Sequence, residues 1–139
     1  MSMELIVYLK HSAMPTLSNL QQAIHDAEFP LQLDPDIDLN SHSGFLPCKL
    51  RGAESGFEYF VRRLSGSEAA EVGTPSDSNF SVTLVTHSNL QECACAVVAA
   101  GVIARVTGGL LVDPQSSESF AATDALGWAK EQFADVERG

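Results

Sequence analysis

Three aspartates alternate along one turn-rich segment, Asp34, Asp36 and Asp38, and alternating carboxylates are what a calcium loop is made from. Such a loop also needs a glycine at its sixth position for the sharp turn and a bidentate glutamate at its twelfth. Counting from Asp34, those positions hold Leu39 and Phe45, which excludes the helix–loop–helix calcium site. Carboxylates that accept bonds from nearby backbone amides are the plain reading of this run. An acidic knob offered to a basic partner is the functional one.

A second group, His87, Glu92, Cys93 and Cys95, has the residue types of a zinc site. The zinc deaminase signature requires His-x-Glu and a later Pro-Cys-x-x-Cys, and neither is present. On a helix, residues two apart diverge by about 200°, so Cys93 and Cys95 cannot share an ion, and packed thiols are the simpler reading. Cys48 could act as a nucleophile only with a base and an orienting group. His11, His25, His42 and His87 are all candidate bases and nothing in the sequence selects one; for a site assembled from distant residues, His42, Cys48 and Asp38 are the nominees. Neither a Gly-x-Ser-x-Gly elbow nor a glycine-rich phosphate cradle occurs. No catalytic residue, metal or cofactor is therefore expected. Phe45, Phe57, Tyr59 and Phe60 cluster around the hairpin, alternating with Glu58 and Arg62, and one or two of these rings left exposed beside the aspartate loop would give the make-up of a protein interface.

Charge narrows the partners. The 139-residue chain has 8 Lys+Arg against 18 Asp+Glu, a formal net charge of −10. That field repels phosphate backbones and anionic membranes and draws in basic surfaces. Three cysteines without a framework spacing fit a reducing compartment. Residues 1–10 lack the basic start and cleavage site of an export signal, and the apolar run Cys93 to Ala104 stops at Arg105, short of the ~20 residues a membrane span requires. A cytoplasmic location follows as the expectation.

The elements that must position these residues read as one domain over 1–139. Leu5 to Leu9 is a strand, buried on both faces by its composition. Pro15-Thr16 opens a helix carrying Leu17, Leu20, Ile24 and Ala27 at helical spacing, and Phe29-Pro30 closes it. Leu31 to Leu33 is a short strand. Cys48–Arg51 and Phe57–Arg62 form two more, joined by a hairpin loop over Gly52–Gly56. Residues 65–78 read as a flexible surface loop. Phe80 to Thr86 is a half-buried strand. Ser88-Asn-Leu-Gln91 fits a capping box for a buried helix that ends at Gly108-Gly109. Leu110 to Val112 is a strand, and a last helix covers about Thr123 to Val136. The order β-α-β-β-β-β-α-β-α predicts an α+β fold, a mainly antiparallel sheet of about five to six strands carrying two to three helices.

Two stretches add a resemblance: His42 to Phe60, and Ser88 to Gln115 with its Thr-Gly-Gly-Leu-Leu-Val-Asp-Pro-Gln ending. Together they cover about a third of the chain. They resemble small acidic α/β immunity proteins of bacterial polymorphic toxins and secretion-system effectors, including those of type VI secretion. The resemblance implies a non-enzymatic protein that occludes the active site of a cognate toxin in the cytosol. A basic active site, as in a nuclease, deaminase or nucleotide-modifying toxin, suits the charge. Asp34, Asp36, Asp38, His42, Phe45, Glu54 and Glu58 are the candidate contact residues, chosen for their charge and position and not carried over from the family. The alternatives are a small enzyme or ligand-binding domain using His42, Cys48 and Asp38, and a self-associating regulatory subunit such as a homodimer.

Overall fold

The structure, a computed structural model, describes residues 3–71 and 78–138. Its strands are β1 (Met3–Leu9), β2 (Leu31–Leu33), β3 (Gly44–Leu50), β4 (Ala53–Arg63), β5 (Phe80–Thr86), β6 (Leu110–Asp113) and β7 (Glu118–Ala121). The helices are α1 (Leu17–Asp26), α2 (Gly66–Glu71), α3 (Leu90–Thr107) and α4 (Ala122–Arg138). The strands form one antiparallel sheet in the order β2-β3-β4-β5-β1-β6-β7. The fold is α+β, as the residue pattern predicts.

Side-chain alternation decides which sheet face is core. Leu5, Val7 and Leu9 of β1 lie opposite Leu84, Val82 and Phe80 of β5, and all six are buried. Tyr59 of β4 stands beside Leu84 in the same layer. β1 is not buried on both faces, because Glu4 and Ile6 are only half-buried. The second face also carries half-buried Thr83, Val85, Leu110 and Val112 and exposed Phe60.

Helix α3 lies against the core face, touching β1, β3, β4, β5 and β6. By length and apolar composition it could cross a membrane, yet residues 94 to 104 are all buried within the protein. Burial of its larger aliphatic side chains contributes about 1.5–3 kcal/mol each. α1 and α4 flank it. Gly101 makes the α3–α4 contact possible: a Cβ there would collide with the Ala129 methyl and sit 3.2 Å from the Ala125 carbonyl oxygen. The Gly108 stop is as predicted, left-handed at φ +69°.

Four local expectations are corrected. The cap of α3 is Asn89, whose side chain accepts from the Glu92 amide at 3.0 Å, one residue beyond the predicted Ser88. The β3–β4 turn is the two-residue Arg51-Gly52, both at positive φ (+52° and +83°), as a type I′ turn requires. The predicted five-residue loop is therefore mostly strand. Pro47 fits inside β3 because its carbonyl, on the side where its N–H would be, accepts from Asp34 beyond the end of β2. Within the predicted loop 65–78, residues 66–71 form α2, because Ser65 and Glu68 make the reciprocal bonds of a capping box. The remainder, 72–77, lies outside the described residues. Finally, β7 pairs with β6 although its Glu-Ser-Phe-Ala sequence carries little strand signal.

Candidate functional site

A pocket of about 590 Å³ opens where the end of β2, the β3–β4 hairpin and the first turn of α3 meet. The hairpin register sets Cys48 opposite Ser55 and Lys49 opposite Glu54. Cys48 and Ser55 form part of the wall, and Glu92 reaches it from α3. Asp34, Glu54 and Glu92 give three carboxylates against the single ammonium of Lys49. Phe45, 53 % exposed, stands at the same pocket. Its ring occupies the space above Gly56, where a Cβ would strike it and lie 2.7 Å from the Leu46 carbonyl oxygen.

Three of the seven sequence-nominated contact residues, Asp34, Phe45 and Glu54, therefore share one concavity. Glu58 pairs in register with Phe45 and makes a 3.0 Å contact to His87 Nε2. Asp36 and Asp38 sit apart in the loop. Asp34 accepts from the Asp36 amide and Asp38 from the Asn40 amide, each at 3.0 Å. Asp38 also accepts from the Ser41 hydroxyl, and these donors, the Asn40 amide first, hold its carboxyl below the usual range. Among the described residues, no group of three or more His, Cys, Asp or Glu side chains is placed to share an ion.

The nominated trio His42, Cys48 and Asp38 is not assembled as a catalytic set. His42 Nε2 contacts the Phe45 carbonyl oxygen at 2.8 Å, and the ring lies beside Tyr59. It does not line the pocket that holds Cys48. The thiol neighbouring Cys48 is instead Cys95 of α3. The neighbouring Cys48 lowers the Cys95 pKa against the opposing effect of burial, while Cys95 and then burial push that of Cys48 up. Cys93 turns away, 3.3 Å from the Thr86 hydroxyl, so the two helical thiols do diverge.

Sequence reasoning missed Ser55, Glu92, Lys49 and the closeness of Cys48 to Cys95. A two-residue turn at Arg51-Gly52 was the available signal, since it alone sets Ser55 opposite Cys48.

At the far side of the hairpin, the Gln21 side chain donates to the Leu31 carbonyl at 2.9 Å and accepts from the Leu33 amide at 2.7 Å. It thereby occupies backbone groups on the free edge of β2, a site where another strand would otherwise add.

These features define an α+β protein with an acidic, aromatic-rimmed pocket at one end of the sheet. No protein-family model, curated protein or solved structure matches the chain.

Proposed function

We propose that the chain is an immunity-type inhibitory protein that binds a cognate bacterial toxin or effector in the cytosol and occludes its active site. The observation that carries this reading is the placement of exposed Phe45 beside Asp34 and Glu54 at one pocket. An aromatic anchor ringed by charge is the composition of an interface hot spot. The carboxylates complement a basic active site, and the net charge of −10 steers such a partner toward them. A Lys or Arg side chain of the toxin fits this pocket, with its cation between the carboxylates and the Phe45 ring.

The test is co-expression with the product of the adjoining gene in the chain's own genome. That product alone should arrest growth, and this protein should restore it. A product that is harmless, or one whose toxicity this protein leaves unchanged, counts against the reading.

A second reading is a small-molecule-binding domain, favoured by the Cys48 and Ser55 wall of the same pocket. It differs in its consequence: a low-molecular-weight ligand, and not a protein, should protect the Cys48 region from hydrogen exchange.

A further inference from the structure

Helix α3, flanked by α1 and α4, covers one face of the sheet. On the opposite face the strand register lines up a row of side chains: Phe60 of β4, Thr83 of β5, Ile6 of β1 and Val112 of β6, each the partner of the next. Phe60 is 38 % exposed and the other three are half-buried. A solvated face of an antiparallel sheet ordinarily presents polar residues, whereas this row is apolar but for one threonine.

Charges flank the stripe asymmetrically. On β4, Glu58 stands two residues to one side of Phe60 and Arg62 two residues to the other, so alternation puts all three on this face. Glu4 joins the Glu58 side, because both are partners of Val85. Glu58 contacts His87 and Arg62 pairs with Glu68. Such exposed pairs contribute little and exchange partners readily.

This pattern is self-complementary. A two-fold axis laid along the stripe brings the face of one copy onto that of a second and exchanges the flanking rows. Glu58 of each copy then lies opposite the partner's Arg62, and the two apolar stripes cover each other. An axis laid along the strands would set acidic row on acidic row, so the charges select one orientation. Aligned sheets stack in this way about 10 Å apart, with their strands within about 30°.

We propose that this open sheet face is a homodimer interface, in which two copies stack with reciprocal Glu58–Arg62 ion pairs on either side of the apolar stripe through Phe60 and Ile6. This goes beyond the proposed inhibitory role and does not rest on it. The net charge of −10 sets the copies against each other at long range. Physiological salt screens that repulsion beyond about 8 Å, while pairs enclosed between the sheets are screened much less.

The test is sedimentation of the full chain at physiological salt, from low micromolar to near-millimolar concentration. The parent should show a reversible monomer–dimer equilibrium. Phe60→Lys should remain a monomer over the same range, whereas Leu90→Asp, at an exposed apolar residue at the start of α3, should dimerise like the parent. Glu58→Arg and Arg62→Glu should each lose the dimer. Mixed in equal amounts they should regain it, because one protein then offers two cations and the other two carboxylates at the matching places. A parent that stays monomeric throughout would overturn the proposal. So would a dimer that survives Phe60→Lys, or a mixture of the two folded charge variants that stays monomeric. The parent, Phe60→Lys and Leu90→Asp decide the matter even if a charge variant fails to fold by circular dichroism.

Discussion

The Tyr59 hydroxyl donates a 2.5 Å hydrogen bond to the backbone carbonyl of Leu39, joining the acidic loop to the middle strands of the sheet. Both residues are almost completely buried, so the bond has no water to replace it. Tyr59→Phe leaves the Leu39 carbonyl unpaired and should cost about 1–3 kcal/mol, read as a lower urea midpoint with an unchanged slope.

The same residue gives the protein an alkaline limit. Burial, and secondarily the charge of Asp38, raise the Tyr59 pKa above its ordinary 10.0. The folded value therefore exceeds the unfolded one. The stabilisation is complete below about pH 10 and is lost as pH rises from there through the folded value. Unfolding free energy measured from pH 8 to 11 should fall more steeply above pH 10 in the parent than in Tyr59→Phe. Parallel curves would contradict this.

Two helical glycines should respond with opposite signs. Gly101 faces Ala129 at the α3–α4 contact with no space for a Cβ, whereas Gly127 on α4 has no heavy atom within 4 Å of that position. Gly101→Val should push the helices apart and cost about 1–3 kcal/mol or more. Gly127→Ala should stabilise by roughly 0.5–1 kcal/mol, because alanine loses less entropy in a helix. Thermal melting of the two variants checks the pair.

Much of the fold is legible in local signals. Leu31–Leu33 and Phe80–Thr86 are strands at the predicted bounds, and apolar residues all round α3 mark a helix enclosed by its neighbours. The misses share a cause. Gly56 reads as a loop residue, but it is a strand glycine kept small by the ring of Phe45, a cross-strand contact invisible before pairing is known. β7 takes its conformation from the edge of β6 and not from its own sequence. The capping box Ser65-x-x-Glu68 was readable, but the polar, small composition around it suggested a loop.

The candidate site was legible in part. Charge and residue type single out Asp34, Phe45 and Glu54, which the fold brings together. Asp36, Asp38 and His42 have the same credentials, but Asp38 and His42 are engaged by local backbone groups, and none of the three lines the pocket. The closeness of Cys48 to Cys95 depends on how α3 lies across the sheet, which no local spacing encodes.

The inhibitory reading is tested most directly by titrating the purified protein into the purified product of the adjoining gene, at low and at physiological salt. The account predicts a defined complex that weakens as salt rises. Replacing Phe45 with Ala should weaken it about 10-fold or more, in keeping with ~1.4–2 kcal/mol for a hot-spot aromatic. Absence of a complex, or a complex indifferent to both salt and Phe45, would contradict it.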